Sequence, residues 1–498
     1  MKKGLTILAL LVLMPMVIAA QTNSSYDDFK KNMQSAFSSF KSEKQSEYDA
    51  YRRKVNDEYA EFLSRTWASF KAKPAVKPVE EPKVEPVKYD PKPKDEPKPT
   101  PKPIPVKDDE LVIPAPAPAP KPIAPVVVQE DQSVVKTEVN FYGTQVSMKF
   151  PKDDDFKLKS LKNKDLSDAW RVLSDKRYDV LLGSALDARE KLNLCDWAYM
   201  NLLGQVAAKR YGKGNDAIFV QAFLMTQSGY NVRLAKSDNS NELFMLVASL
   251  YDIYGMNYYV IGNAKYYAVD CKESSLSICE AGYEKEKSLS LQIASQQNFG
   301  KELSEKRKLT SKLGLTAAVS VNKNNIDFYN TYPSSCINGD FTTKWAAYAN
   351  TPLEKGVRDA LYPQLQRSVQ GMSERDAVNL ILNWVQTAFV YGYDDEIWGG
   401  DRAFFGEETL FYPYCDCEDR SILFSRLVRD ILHLDVVLLY YPGHLATAVR
   451  FNNDVEGDYL VCRNRKYVVC DPTYIGAPVG LTMPQMDNKK AKIIILEK

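Results

Sequence analysis

The sequence predicts an α+β protein, and three observations support that fold class. Residues 310–330 alternate in polarity as β-strands do. Residues 353–391 instead carry apolar side chains at helical spacing, in a stripe made of Ala377, Leu380, Ile381, Trp384, Val385 and Ala388. Strand-like and helix-like segments of this kind follow one another from about residue 135 onward, whereas residues 73–128 are too rich in proline to bury a core.

Composition divides the 498 residues into six segments. They are a signal peptide at 1–20, a helical arm at 21–72, a proline-rich extended linker at 73–128, an α+β domain at 130–285, a β-rich connecting region at 286–350 and a second α+β domain at 351–498. The formal net charge of +1 gives no electrostatic basis for binding nucleic acid.

Residues 1–20 have the pattern of a secretory signal peptide. Lys2 and Lys3 precede an apolar run at 5–18, and small residues end it at Ala19 and Ala20. The run is shorter than the ~20 apolar residues that cross a bilayer, so cleavage is favoured over a membrane anchor. We therefore expect an exported protein, periplasmic or secreted.

The helical arm carries aromatic residues at a period of eleven, which is three turns of a helix at ~3.67 residues each. The two series are Tyr26, Phe37, Tyr48, Tyr59 and Phe70, and Phe29, Phe40, Tyr51 and Phe62. Both series lie on one face of a helix, so this face favours self-association or docking to a partner in the cell envelope. The alternative is a weakly helical spacer. The linker that follows is expected to be extended polyproline II that holds the globular part away from the arm.

The eight cysteines suggest two local disulfides, because oxidising compartments favour pairing. The candidate pairs are Cys271–Cys279 in "CKESSLSIC" and Cys462–Cys470 in "CRNRKYVVC", which reads as a hairpin.

The segment "CDCEDRSILFSRLVRDIL" predicts a helix that begins beside Cys417. Asp416 is a favourable N-cap, Asp419 follows three residues later, and apolar residues then recur at helical spacing. A helix N-terminus favours the thiolate of a cysteine in the first turn. Cys417 is therefore the candidate nucleophile, with an inert or disulfide-bonded cysteine as the alternative.

Two later strand ends supply partners for this thiol. His444 follows Pro442-Gly443 between two apolar runs, and Asp471 ends the run "KYVVCD". His433, the other histidine, is interpreted as a helix C-terminal cap. The order Cys417, His444, Asp471 suits nucleophilic catalysis, in which histidine takes the thiol proton and the carboxylate orients the imidazole.

At these motifs the sequence resembles the transglutaminase-like (papain-like) cysteine enzymes, including their bacterial cysteine-proteinase branch. The motifs are "ILNWVQTAFVYGYD", "EETLFYPYCDCEDRSILFSRLV", "GHLATAV" and "CDPT", across roughly 353–480. The resemblance implies a papain-like C-terminal domain with Cys417 as nucleophile, His444 as general base and Asp471 as orienting carboxylate. It implies a protein or peptide substrate and no cofactor, and its members include proteases, amidases, acyltransferases and inactive proteins.

Several features beside Cys417 allow more than one interpretation. The family usually has glycine where this chain has Cys415, which could pair with Cys336, shield Cys417 or oxidise it. A zinc site is disfavoured because the spacing of the two cysteines is too short. Gln386 is a candidate oxyanion donor or a plain polar helix position. Nearby aromatic residues could line a cleft or belong to the core: Trp398, Phe404, Phe405, Phe411, Tyr412, Tyr414, Tyr440 and Tyr441.

Residues 200–275 repeat the pattern of 403–476, which suggests an internal duplication. The position that matches Cys417 is Gly214, and no histidine precedes residue 433, so the upstream copy is expected to be non-catalytic. Two functions follow from the sequence. One is an exported Cys-His-Asp enzyme acting on amide bonds by hydrolysis or acyl transfer, and the other is a non-catalytic scaffold or binding protein of the periplasm or cell envelope.

Overall fold

A computed structural model describes residues 23–78, 84–91, 100–105, 111–112, 119–126, 133–269, 271–400 and 402–496, so the signal-peptide prediction lies outside the described residues. The helices are α1 Asn23–Ser64, α2 Asn163–Leu173, α3 Asp179–Lys191, α4 Asp196–Tyr211, α5 Asn215–Gln227, α6 Lys323–Asn330, α7 Thr343–Asn350, α8 Lys355–Val369, α9 Glu374–Ala388, α10 Asp394–Trp398, α11 Gly406–Phe411 and α12 Cys417–Leu427.

The strands before residue 320 are β1 Ala68–Lys71, β2 Pro103–Ile104, β3 Leu111–Val112, β4 Val134–Phe141, β5 Thr144–Pro151, β6 Val232–Ser237, β7 Leu243–Ser249, β8 Tyr251–Ile253, β9 Tyr258–Ile261, β10 Ala264–Ala268, β11 Ser275–Ile278, β12 Arg307–Thr310 and β13 Thr316–Val319. The later strands are β14 Ser335–Ile337, β15 Val390–Tyr391, β16 Tyr414–Cys415, β17 Asp435–Tyr441, β18 His444–Arg450, β19 Tyr459–Cys462, β20 Arg465–Cys470 and β21 Lys492–Ile495. The described residues are therefore of mixed α+β class, as predicted.

Packing separates the chain into two units, with the boundary between Lys54 and Val55. The described part of the first unit is the helix at 23–54. Ion pairing of Lys44 with Glu47, at 2.7 Å, supports it locally. The aromatic residues Phe40, Tyr48 and Tyr51 are exposed there. Docking or self-association of this face stays a prediction, and the side chains of Tyr26, Phe29 and Phe37 lie outside what the structure describes.

The second unit begins with the last turns of α1, which are anchored by buried polar contacts. The Asn56 side-chain oxygen accepts hydrogen bonds from Trp170 (3.0 Å), Gln227 (2.8 Å) and Tyr283 (2.8 Å). The helix ends at Ser64, so the prediction of an arm extending to residue 72 is wrong. Tertiary pairing explains the difference, because residues 68–71 form β1 against β11 and Phe70 lies on that strand.

The described parts of the proline-rich segment pair with other residues of the second unit, so the prediction of a free spacer is wrong for these parts. We call the described residues 84–91, 100–105 and 111–112 the strap. Within it, β2 pairs in parallel with β19, β3 pairs in parallel with β21, and Lys88 bridges to Ile475. The backbone is extended as predicted, and an extended chain can pair at a sheet edge because prolines are tolerated in edge strands.

Two large sheets form the body of the second unit: an upstream six-stranded sheet and a downstream seven-stranded sheet. The six-stranded sheet has the order β1-β11-β6-β7-β10-β9, and the seven-stranded sheet has the order β2-β19-β20-β18-β17-β21-β3. Four neighbouring strands of each sheet share one topology. They are β6-β7-β10-β9 and β17-β18-β20-β19, and in both sets the two strands that come last in the chain stand in reversed order in the sheet. All neighbouring pairs in these two sets are antiparallel. A helix, α5 or α12, precedes each set.

The region between the two sheets is less strand-rich than predicted. Only 316–319 of the alternating stretch at 310–330 is a complete strand, and Asn322 caps a helix over 323–330 with its side chain. Farther on, β14 pairs with β8 in a separate two-stranded sheet, and α7 packs against α12. Ser373 caps α9, because its hydroxyl accepts from the Asp376 N–H at 3.2 Å.

Candidate active site

The N-terminus of α12 is closed by reciprocal hydrogen bonds between two aspartates. The Asp416 carboxylate accepts from the backbone N–H groups of Glu418 (3.0 Å) and Asp419 (3.4 Å). Asp419, which is fully buried, accepts from the N–H of Asp416 (3.1 Å) and of Phe404 (2.8 Å). The predicted capping pair is confirmed, and it places Cys417 at the first position of the helix.

His444 and Asp471 meet in the seven-stranded (downstream) sheet, where the start of β18 lies beside the end of β20, as predicted. His444 is the first residue of β18, Asp471 directly follows β20, and both side chains are buried. The His444 Nε2 lies 2.9 Å from the Asp471 Oδ2. The other carboxylate oxygen accepts from the N–H groups of Thr473 (2.8 Å) and Tyr474 (3.2 Å). The His444 Nδ1 is buried and has no hydrogen-bond partner among the described residues.

The Cys417 thiol lies next to this pair. The side chain is partly buried and packs on an apolar cluster that contains Trp345, Tyr440 and Leu445. One turn farther along α12, the Ser421 hydroxyl donates to the Leu445 carbonyl oxygen at 2.9 Å, which holds the start of the helix against β18. Because Leu445 directly follows His444 in β18, the thiol and the imidazole belong to one site.

The surroundings of Cys417 do not favour the thiolate, so that expectation from the helix N-terminus is wrong. Burial raises the pKa of the Cys417 thiol well above its usual value, and the carboxylates of Asp416, Glu418 and Asp471 raise it further. The Leu445 N–H acts in the opposite direction. The N-cap Asp416 and the first-turn Glu418 thus offset the helix dipole, and the resting site holds a neutral thiol that needs a base.

Alkylation of Cys417 by iodoacetamide is expected to be slower near pH 7.5 than that of an unfolded-chain cysteine. Only the thiolate reacts, and the raised pKa moves its formation above the ordinary value of ~8.5. The rate, followed by peptide mapping in folded and urea-unfolded protein, should therefore keep rising at alkaline pH. A plateau already reached below neutral pH in the folded protein would contradict this prediction.

Gln386 is not available as an oxyanion donor, which corrects that prediction. Its side-chain nitrogen donates to the carbonyl oxygens of Asp471 (3.0 Å), Tyr474 (2.9 Å) and Ala477 (3.0 Å). Its side-chain oxygen accepts from the Gly476 N–H at 3.1 Å. Gln386 is buried and holds the loop after β20 in place, so it orients Asp471 rather than binding substrate.

Arg420 is a buried residue of the site that sequence reasoning missed. Its guanidinium donates to the carbonyl oxygens of Gln386 (3.2 Å) and Phe389 (3.0 Å) at the C-terminal end of α9. It thereby joins α9 to α12 and caps carbonyls that a helix end leaves open. No single signal in the sequence marked it, because Arg420 stands among the charged and polar residues that begin the helix, and only its burial shows that the cation requires partners.

Cys415 lies buried on β16 and is a free thiol, as is Cys336 on β14. The Cys415 sulfur lies 3.8 Å from the Val390 carbonyl oxygen. Burial raises the pKa of the Cys415 thiol, and the Arg420 guanidinium partly counteracts this. Shielding of Cys417 by Cys415 stays a prediction, whereas pairing of Cys415 with Cys336 is not what the structure shows.

Both predicted disulfides are wrong, because none of the eight cysteines forms a disulfide. Cys462 and Cys470 occupy opposite ends of the hairpin: Cys462 faces Arg465 beside the turn, and Cys470 ends β20 five residues farther on. Five residues of strand span ~17 Å, beyond the ~7 Å limit between the Cα atoms of a disulfide. Strand β11 separates Cys271 from Cys279 in the same manner.

The aromatic residues near the site divide into core and surface. Phe404, Phe405, Tyr440 and Tyr441 are buried, and Phe411 and Tyr412 are partly buried. Trp398 and Tyr414 remain exposed, together with Val390 and Ile397. The interpretation as core is therefore confirmed for the buried four, while the exposed ones flank β16 just before Cys417.

A metal site gains no support from the donors near Cys417. Within the described ranges, only Asp416, Cys417 and Glu418 bring three ligand atoms together, all within 4.8 Å. They are consecutive residues, and Lys344 lies 3.7 Å from the Glu418 carboxylate in a largely buried ion pair. The absence of a metal and of a cofactor stays a prediction.

The register of the upstream sheet identifies the residues at the positions of His444 and Asp471. The equivalent cross-strand pairs are Leu246 with Ala268 and Thr447 with Cys470. Counting along the strands from these pairs, Leu243 occupies the position of His444 and Val269 that of Asp471. The next residue, Asp270, lies outside the described residues.

The start of α5 matches the start of α12 in one hydrogen bond. Asp216 accepts from the Leu158 N–H at 2.8 Å, just as Asp419 accepts from the Phe404 N–H at 2.8 Å. Gly214 then takes the position of Cys417. The upstream set of positions therefore carries glycine, leucine and valine, none of which can act as a nucleophile or a base.

Comparisons with known proteins add no family assignment: the chain matches no protein-family model, and searches of curated proteins and of solved structures return no match. Among the described helices, none is both long enough and apolar enough to span a bilayer.

Proposed function

We propose that the second unit is a cysteine-nucleophile enzyme acting on amide bonds, of the transglutaminase-like (papain-like) type. One observation carries the proposal. A buried histidine is held by an aspartate through Nε2, its Nδ1 is unpartnered, and a cysteine at a helix N-terminus packs on the cluster that contains Leu445, the residue after that histidine. A buried imidazole nitrogen without a partner costs free energy. Such an unsatisfied atom is therefore typical of a site with a function such as proton transfer.

The hydrogen-bonding pattern suggests how each residue acts. With Nε2–H donated to Asp471, the Nδ1 of His444 has a lone pair that can accept the thiol proton of Cys417. The thiolate then attacks the amide carbon, the imidazolium returns its proton to the leaving amine, and the C–N bond breaks. Water or a second amine resolves the thioester, giving hydrolysis or acyl transfer respectively.

The upstream sheet is proposed to be a degenerate copy of the downstream one. The matching strand order and the matching aspartate at the helix start support a duplication. The contribution of this upstream region would be structural: β8, which follows β7 in the chain, pairs with β14, and the buried Asp252 accepts from the Gly339 N–H at 2.8 Å. These contacts fix the segment that leads into α7, which packs on the helix of Cys417.

A non-catalytic scaffold or binding protein is the second candidate. The raised pKa of the Cys417 thiol favours it, since many cysteine nucleophiles are instead acidified by their surroundings. In either case we propose an exported protein, periplasmic or secreted, that binds protein or peptide and not nucleic acid. The exposed aromatic face of α1 would associate with another copy or with an envelope partner.

The two candidates differ in amide turnover. The full chain would be incubated with a peptide mixture, with and without a labelled primary amine, and the products analysed by mass spectrometry. The enzyme predicts cleaved or amine-labelled peptides that disappear in Cys417→Ala but persist in Cys415→Ala. Peptide products equal in amount for the wild type and Cys417→Ala, or products absent from both, would overturn the enzymatic proposal.

A further inference from the structure

The loop after β20 holds Asp471 through its own backbone. The Asp471 Oδ1 accepts from the N–H groups of Thr473 (2.8 Å) and Tyr474 (3.2 Å), while the Oδ2 lies 2.9 Å from the His444 Nε2. Both donors belong to the loop, so the direction of the carboxylate depends on where the loop backbone lies. Gln386 fixes this backbone at one point, the Tyr474 carbonyl oxygen, at 2.9 Å.

The strap holds the next residue of this loop with two backbone hydrogen bonds. The Ile475 N–H donates to the Val87 carbonyl oxygen at 2.8 Å, and the Tyr89 N–H donates to the Ile475 carbonyl oxygen at 2.9 Å. Lys88 thereby forms a parallel bridge with Ile475. Because Ile475 directly follows Tyr474, these bonds hold the backbone immediately beside an N–H group that orients the carboxylate.

Side-chain packing adds to these two bonds. The rings of Tyr89 and Tyr474 meet edge to face, with their centroids 5.7 Å apart. Val84, Val87 and Tyr89 pack on a small apolar cluster whose buried members are Tyr474, Ala477 and Met483. The strap is therefore attached to the loop by apolar side chains as well as by backbone groups.

A second segment of the strap leads to His444. The Lys102 carbonyl oxygen accepts from the Asn488 side chain at 3.3 Å, and the Asn488 side-chain oxygen accepts from the Tyr441 hydroxyl at 3.1 Å. Tyr441 is the β17 residue opposite His444, and the two rings lie 22° from parallel with centroids 6.2 Å apart. The strap thus contacts the supports of both His444 and Asp471.

We propose that the strap positions the His444–Asp471 pair, with the Tyr89 N–H holding the loop that directs the Asp471 carboxylate toward His444. The inference rests on the proposed function. Tyr89 is a positioning residue, because it acts on the pair through the loop. A carboxylate that loses its direction orients the imidazole less well, so proton transfer from the thiol slows while substrate binding is unchanged.

Tyr89→Pro tests the inference, because proline has no N–H to donate and suits an extended backbone. Lys88→Pro is the matched control one residue earlier, since the Lys88 N–H takes no part in the two bonds to Ile475. We expect Tyr89→Pro to lower kcat about tenfold, the equivalent of one hydrogen bond, with KM within about twofold. Lys88→Pro should keep both constants within about twofold of the wild type.

A second readout follows the imidazole itself. The chain has two histidines, so protein labelled at the histidine nitrogens gives few imidazole signals in NMR, and the signal lost in His444→Ala belongs to His444. Its Nε2–H, bonded to Asp471, should exchange slowly with solvent in the wild type and in Lys88→Pro. Tyr89→Pro should raise this exchange rate about tenfold, because the carboxylate that protects the proton is held less firmly.

The outcomes separate the inference from the proposed function. Unchanged kcat and exchange in Tyr89→Pro overturn the inference, as does an equal effect in Lys88→Pro. It is also overturned by a lower kcat with unchanged exchange, which places the effect elsewhere, and by a higher kcat/KM, which shows that the strap obstructs substrate. A wild type without Cys417-dependent turnover overturns the proposed function, and the exchange rates alone then decide whether the strap positions the pair.

Circular dichroism checks that each variant folds. If Tyr89→Pro does not fold, Tyr89→Ala takes its place, since it keeps the N–H and removes the ring that packs on Tyr474. We expect Tyr89→Ala to lower kcat about threefold, the size of one aromatic pair, and to raise the exchange rate by the same factor. Wild-type values of both in Tyr89→Ala would then overturn the inference.

Discussion

Replacing His444 with alanine is expected to lower kcat/KM for amide turnover by roughly 10³-fold or more. The neutral thiol of Cys417 depends on a base, because burial and neighbouring carboxylates raise its pKa. His444, held by Asp471 at 2.9 Å with Nδ1 unpartnered, is the base that the site provides. The measurement is initial rate against substrate concentration for the purified wild type and variant.

The second histidine provides the control for this prediction. His433 is exposed, has a left-handed backbone with φ 56°, and follows the far end of the Cys417 helix. Asparagine tolerates that conformation, so His433→Asn should keep wild-type kcat/KM within about twofold. Turnover that survives in His444→Ala at the level of this control would contradict the assignment of the base.

Replacing Arg420 with methionine is expected to reduce the free energy of unfolding by about 3 kcal/mol. Methionine keeps the apolar volume but leaves the carbonyl oxygens of Gln386 and Phe389 buried without their donors. Each such orphan costs roughly 1–3 kcal/mol. Urea denaturation followed by circular dichroism measures the change.

An exposed arginine of the same unit gives the matched comparison. Arg465 lies at the surface and pairs with Asp435 at 3.4 Å. Surface pairs contribute at most about 1 kcal/mol, so Arg465→Met should be nearly neutral. If Arg420→Met were as stable as Arg465→Met, the joint between α9 and α12 would contribute nothing to folding.

The parts of the site that the sequence predicted are those encoded locally. The capping box at Asp416 and Asp419 fixes where α12 begins, and it therefore fixes Cys417. His444 and Asp471 could be predicted because His444 begins one apolar strand and Asp471 follows the end of another. In an antiparallel pair, the start of one strand lies beside the end of its neighbour. Short-range patterns of this kind need no knowledge of distant residues.

What the sequence did not predict depends on contacts far apart in the chain. Gln386 had a plausible role as a donor until the loop after β20 was seen to occupy its amide. The eleven-residue repeat continues to Phe70, yet pairing with β11 ends the helix before that residue. The pKa of Cys417 was misjudged because the helix dipole is visible in a sequence, whereas burial is not.

The strap has a consequence for the order of biosynthesis. Its backbone at Lys102 binds the side chain of Asp458, 356 residues later. Both outer edges of the seven-stranded sheet are closed by residues near 103 and 111. Contacts of such high contact order form late, after nearly the whole chain has been made. The region 351–498 produced alone would keep β19 and β21 as open edges, and open edges promote aggregation.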